Sequence, residues 1–177
     1  MDQIEEMAQI VRCNEVDLKA LLSQAKEMEL LQNDGISQKN SGAYVPAGKL
    51  TYTNPSGWKI DVSAELISSC VLHVDGNYMT EKLETLSYEV SFVVLLKDNF
   101  NIASPVSLTL TLPNGSSQVN GYGLMSYPRN TPFSLKAGEF FNKFDSGDIK
   151  FALDGTESVT TKTGLVIYGV NISPTNA

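Results

Sequence analysis

The feature that most restricts how this chain folds is a double run of period-two alternation between residues 85 and 112. Tyr88, Val90, Phe92, Val94 and Leu96 fall on one face of an extended chain, with Ser87, Glu89 and Ser91 on the other. The pattern breaks at residues 97–105. It resumes as Val106, Leu108, Leu110 and Leu112 against Ser107, Thr109 and Thr111. Successive side chains of a strand point to opposite faces, so each run reads as a strand with one face in a core. The β-branched and aromatic residues within the runs strengthen that reading.

Around these two strands the same signal repeats. Residues 49–53 form a short candidate strand, ended by the turn cluster Asn54-Pro55-Ser56-Gly57. A long alternation follows, through Trp58, Ile60, Val62, Ala64, Leu66, Cys70, Leu72 and Val74, closed by Asp75-Gly76 as a hairpin-type turn. Leu112-Pro113-Asn114-Gly115 ends the second run with another such turn. The stretch 119–127 carries Gly121 and Gly123, which weaken a strand or mark close backbone approach. Residues 133–135, 139–144, 149–153 and 158–172 complete the set, punctuated by 136–139, 145–148 and Asp154-Gly155. Roughly nine or ten strands with frequent turns, and no helical periodicity after residue 35, predict a mainly β protein. The expected architecture is an antiparallel jelly roll or β-sandwich over residues 49–177.

Residues 1–34 have a different character. Ile4, Met7, Val11, Leu18, Leu21, Ala25 and Met28 recur at spacings of three and four, interrupted by Asn14. This predicts a short N-terminal α-helical segment, an anchor or oligomerisation seam. It reads either as one amphipathic helix or as two, with Asn14 the N-cap of the second. Residues 35–48, rich in Gly, Ser, Asn and Pro, read as a linker. The two-helix version has a faint helix-turn-helix look, but the segment carries eight acidic residues against Arg12, Lys19 and Lys26. Phosphate would repel it.

The formal net charge of −7 likewise argues against a nucleic-acid partner. At 177 residues the chain can bury roughly 70% of its unfolded surface, so the core needs no disulfide or metal staple. Cys13 and Cys70 match no zinc or redox spacing and read as free thiols. The acidic start lacks the apolar stretch of a secretory signal, and no run is long enough to span a bilayer. No membrane partner is expected.

Candidate chemistry is sparse. His73 is the sole histidine, and on a strand the offset to Cys70 puts the two side chains on opposite faces, which disfavours a nucleophilic dyad. No serine sits in a Gly-x-Ser-x-Gly elbow. A non-enzymatic protein without a cofactor is expected. Asp145 and Asp148, or Asp154 and Glu157, could offer oxygen ligands to calcium, although acidic residues beside glycine are more often turn formers. Trp58, Tyr122, Tyr127 and Tyr168 are candidates for an aromatic platform that binds a sugar, or for an intersubunit cluster.

The C-terminal part resembles the end of a tumour-necrosis-factor or complement-globular-head jelly roll. The residues that carry the resemblance are 133–139 (Phe-Ser-Leu-Lys-Ala-Gly-Glu), 148–153, and Thr163-Gly164-Leu165-Val166-Ile167-Tyr168. In that family a turn of the type leucine, small residue, glycine, acidic residue leads into a strand. A final strand then lines a threefold axis. The resemblance implies a homotrimer with Leu165, Ile167 and Tyr168 at the axis. Members occur on phage and virus particles as spikes, head fibres and capsid decoration proteins. The layout of helix, linker and β head then implies a virion attachment protein docked to a capsid. The alternative is a carbohydrate-binding β-sandwich module whose partner is a glycan, with Trp58, Tyr122 and Tyr127 as ligand aromatics.

Overall fold

The computed structural model describes residues 41–155 and 160–175. The expected helix at 1–34, with its seam Ile4, Met7, Val11, Leu18, Leu21 and Met28, lies outside the described residues. Within them there are eleven strands and a few single-turn 3₁₀ segments. In chain order the strands are β1 (Ala43–Pro46), β2 (Thr51–Tyr52), β3 (Trp58–Ile60), β4 (Ala64–Leu66), β5 (His73–Met79), β6 (Ser87–Asn101), β7 (Val106–Thr111), β8 (Ser117–Tyr122), β9 (Phe133–Phe141), β10 (Asp148–Gly155) and β11 (Thr163–Pro174).

They form two antiparallel sheets. The first runs β3-β4-β11-β6-β9, with β1 added to the far half of β11; the second runs β2-β5-β10-β7-β8. From β4 to β11 the chain changes sheet at every step except β7 to β8, so each sheet interleaves segments distant in sequence. The mainly β reading therefore holds, as a two-sheet sandwich.

The inward face of β6 is the alternation that opened the sequence analysis. Tyr88, Val90, Phe92, Val94 and Leu96 are all fully buried. Opposite them lie Leu108 and Leu110 of β7 and Ile149, Phe151 and Leu153 of β10, also buried. Phe92 and Phe151 meet across the sandwich with ring centroids 6.1 Å apart. Burying side chains of this size contributes roughly 1.5–3 kcal/mol each before ordering costs. β6 continues to Asn101, past the break expected at 97.

Four expectations are corrected here. The linker 35–48 ends earlier than its composition suggests. Ala43–Pro46 pair with β11 as β1, and Val45 and Ala47 are buried in the core. The alternation from 58 to 74 is not one strand. β3 and β4 form a tight hairpin through Val62, which stands 84% exposed at its tip. Asp75-Gly76 is not a turn but the middle of β5. Lys136-Ala137-Gly138-Glu139 does not turn either. It lies inside β9, where Gly138 opposes Val90 and Lys136 opposes Ser91, so Ala137 is absorbed as a bulge. By contrast, Asn114-Gly115 does turn between β7 and β8, with Gly115 at φ +89°.

β11 explains its apolar residues on both parities. Two register shifts divide it, one between Thr163 and Leu165 and one between Ile167 and Gly169. Leu165 and Ile167 face the core; after the second shift Val170 and Ile172 do so instead. A bulge at Tyr168 thus swaps parity in mid-strand and keeps the inward face apolar along its length. Leu165 and Ile167 are fully buried within one chain. That leaves them no face for a symmetry axis.

β9 is an edge strand, and exposed edges invite pairing with other chains. Here side chains of β8, reaching in from the other sheet, occupy its free backbone groups. Gln118 donates to the Glu139 carbonyl and accepts from the Glu139 N–H at 3.0 Å. The Asn120 amide donates to the Ala137 carbonyl at 3.0 Å and the Tyr122 hydroxyl to the Lys136 carbonyl at 2.7 Å. One side of the sandwich is closed by side chains rather than by a shared strand. Nearby, the buried Asn142 amide nitrogen lies within 3.1–3.2 Å of the carbonyls of Thr80, Leu83 and Glu84, tying the β5–β6 connection to the end of β9.

Gly164, at the first shift in β11, has φ +79°, and a Cβ there would stand 2.6 Å from the backbone of Phe100. Gly164→Ala is expected to cost more than about 2 kcal/mol in urea unfolding, because strain and a backbone clash add. Gly115→Ala meets nothing within 4 Å and should cost only roughly 1–2 kcal/mol from its positive φ. Equal losses would show that the contact with Phe100 is not tight.

Candidate functional site

The alternation that sends apolar residues of the second sheet inward sends polar ones outward, in register across four strands. Thr51 stands beside Asp75, Asp75 beside Ala152, and Ala152 beside Thr109. One row along, Asn77, Lys150 and Thr111 are neighbours. In the row on the other side His73 pairs with Asp154, and Asp154 with Ser107. Over the first two rows lies a groove of about 360 Å³, with Lys49 at its margin and Ala152 among its lining residues.

The floor is shaped by small residues. Gly76 sits between Asp75 and Asn77, and a Cβ there would come within 2.7 Å of Leu50 and 3.4 Å of the Phe151 ring below. The glycine lets the β5 backbone settle onto the core. Ala152, the central outward residue of β10, leaves space between Lys150 and Asp154. Neighbours two apart on one strand face lie roughly 7 Å apart.

At one end of the groove His73 bridges two carboxylates. Its Nε2 is 3.1 Å from Asp75 Oδ2, and its Nδ1 contacts Asp154 Oδ1. Burial acts against the imidazolium, but the hydrogen bonds and charges of Asp154 and Asp75 outweigh it and raise the His73 pKa above its ordinary value. A protonated ring donates to both carboxylates at once; a neutral ring has one N–H and can serve only one.

The sequence-predicted aromatics lie elsewhere. Trp58 is buried, tilted against Tyr52 at 4.8 Å, and its Nε1 finds no partner among the described residues. Tyr122 spends its hydroxyl on the edge of β9, and Tyr127 stacks on Phe133 at 4.7 Å. The Tyr168 carbonyl accepts the Tyr44 hydroxyl at 2.6 Å. None of these rings lines the groove. Cys70 is buried with its Sγ 3.8 Å from Thr161 Oγ1, while His73 is engaged by Asp75 and Asp154. Asp145 lies in the turn before β10, and Asp148 is the first residue of that strand. Among the described residues no group of three or more His, Cys, Asp or Glu is arranged to hold a metal ion.

Asp75, Asn77, Thr109, Thr111 and Lys150 were not singled out from the sequence. The available signal was parity: His73, Asp75 and Asn77 share one face of an extended chain, as do Lys150, Ala152 and Asp154.

Comparison with known proteins identifies the lineage. The profile of the phloem protein 2 family matches residues 51–174, from the start of β2 to the end of β11. The chain belongs to the phloem protein 2 family. A lectin from Luffa acutangula is 35% identical over 118 residues, 63% of this chain and 54% of the lectin. The Arabidopsis thaliana protein PHLOEM PROTEIN 2-LIKE A2 is 37% identical over 109 residues, 59% of this chain and 56% of that protein. This phloem protein 2 chain thus spans about half the length of these curated relatives. Among solved structures, a carbohydrate-binding module from Cellvibrio mixtus lichenase 5A, in complex with cellotriose, aligns over 76% of this chain and 98% of its own. The TM-score is 0.38 and the identity 14%, too low to bear on function.

These findings overturn the resemblance to the tumour-necrosis-factor and complement-head fold. With it go the phage attachment function and the virion location, and the homotrimer and the capsid partner lose their support. The relatives are plant proteins, and the supposed turn at 136–139 is a bulge within a strand. Generic β patterning produced the likeness.

The His73 bridge makes a prediction about pH. Because its folded pKa is raised, its stabilising contribution is complete below the unfolded value of about 6.5 and is lost as pH rises through the folded value. The melting-temperature difference between the wild type and His73→Gln should therefore be largest near pH 6 and shrink at higher pH. A difference independent of pH between 6 and 9 would show that the bridge does not depend on the imidazolium.

Proposed function

We propose that this chain is a non-enzymatic carbohydrate-binding domain and that saccharide lies in the groove on the open face of the second sheet. Family membership and a relative that is itself a lectin support the reading. The observation that carries it to this face is the pair of polar rows Thr51-Asp75-Ala152-Thr109 and Asn77-Lys150-Thr111. A saccharide presents hydroxyls that both donate and accept. Asp75 accepts, Lys150 donates, and the amide of Asn77 and the threonine hydroxyls do both. All stand on strands whose opposite faces are locked in the core, so little order has to be gained on binding. The interleaved strands are wound in the manner of a jelly roll, and the site uses the face of a sheet rather than a loop cluster.

Each neutral hydrogen bond contributes only about 0.5–1.5 kcal/mol net, and charge-assisted ones somewhat more. Among the described residues no exposed ring faces the groove to stack against a sugar, so single-site affinity should be modest. The test is a glycan array probed with the full chain, followed by titration of the best ligand. Asp75→Ala and Asn77→Ala should each weaken binding about tenfold or more, while Tyr127→Ala should leave it within twofold. Absence of binding to any glycan would overturn the reading. Loss on Tyr127→Ala with both groove variants unaffected would move the site to the loop aromatics.

A further inference from the structure

We propose that the groove selects an acidic saccharide, one bearing a carboxylate or sulfate, with the anionic group seated on Lys150. The inference rests on the carbohydrate-binding reading and deepens it by naming the ligand class.

Lys150 is exposed at the centre of the groove, between Asn77 on β5 and Thr111 on β7. Asp75 is its diagonal neighbour across β5 and β10, roughly 7 Å away at the Cβ atoms. A flexible lysine would ordinarily close such a gap, but Asp75 turns instead to His73 at 3.1 Å. Asp154, two positions along β10, is engaged by the other ring nitrogen of His73. Asp148, two positions the other way, does not line the groove. Among the described residues no carboxylate stands within ion-pair distance of the Lys150 ammonium. Lys49, at the margin, adds a second positive charge. A chain of net charge −7 thus presents a groove with two lysines, and the one carboxylate lining it is held by an imidazole.

The arrangement is bipolar. Lys150, Asn77 and Thr111 form a row of donors suited to an oxyanion. Asp75, one row along across Ala152, accepts from hydroxyls. The separation of the rows is about the width of one sugar ring. Phe151 turns its ring into the core and is 1% exposed, so the floor offers no stacking surface. Without stacking, a charge-assisted contact is the strongest interaction the groove can offer, at about twice a neutral hydrogen bond.

The test is titration of the full chain with four probes at low and high salt: an oligogalacturonide, the corresponding neutral galactose oligomer, its sulfated form, and inorganic sulfate. At low salt the two acidic oligosaccharides should bind at least tenfold more tightly than the neutral one, and the gap should narrow at high salt. Lys150→Gln should remove most of the preference, weakening the acidic oligosaccharides far more than the neutral one; Lys150→Glu should reverse it. Equal binding of acidic and neutral oligomers, or a preference surviving in Lys150→Gln, would overturn this proposal and leave the carbohydrate-binding reading standing. Binding of no saccharide at all would bring down both. Inorganic sulfate matching the oligosaccharides in affinity would overturn it in favour of a simple anion site.

Discussion

The packing of β6 and β11 against β7 and β10 is the contact on which everything else in the molecule depends. β6 and β11 pair over ten registered positions and present Tyr88, Val90, Phe92, Val94, Leu96, Leu165, Ile167, Val170 and Ile172 to one interior. The strands opposite must then spend alternate residues on that interior. Once Ile149, Phe151 and Leu153 face in, Lys150, Ala152 and Asp154 face out. The same constraint places Asp75 and Asn77 on β5, and Thr109 and Thr111 on β7, on the outer face. Core and groove are two sides of one periodicity, and the antiparallel register aligns the outward residues into rows.

Two kinds of local feature escaped sequence reading, for opposite reasons. Strong alternation made β6 and β7 legible to within a few residues, because each side chain there follows the two-residue period. β5 was lost because Asp75-Gly76 has the composition of a turn. The glycine is instead present to fit over Leu50 and Phe151, and this can be seen only from the strand beneath it. In β9 and β11 the bulges at Ala137 and Tyr168 shift parity, so the sequence looked like a turn in one case and carried apolar residues on both parities in the other. Reading the turn-like 136–139 as evidence for a different jelly roll followed from that error.

The candidate site was legible only in fragments. His73 was considered as a nucleophile's partner, but its neighbours in space are Asp75 and Asp154, one two residues away and the other 81. No spacing rule joins His73 to Asp154; a strand pairing does. The aromatic rings that sequence reading favoured are used structurally: Trp58 in the core, Tyr122 on the free edge of β9, Tyr127 against Phe133. Family membership agrees with the alternative reading of the sequence, a glycan-binding sandwich, and not with the particle-associated one.

The central claim is that ligand occupies the outer face of the second sheet. Its most direct test is amide chemical-shift mapping of the ¹⁵N-labelled full chain, titrated with the saccharide it binds best. The account predicts perturbations concentrated at residues 75–77, 109–111 and 150–152, with Lys49 and Thr51 at the margin. Perturbations confined to the loop at 122–133, or to β11 and the outer face of the first sheet, would contradict it.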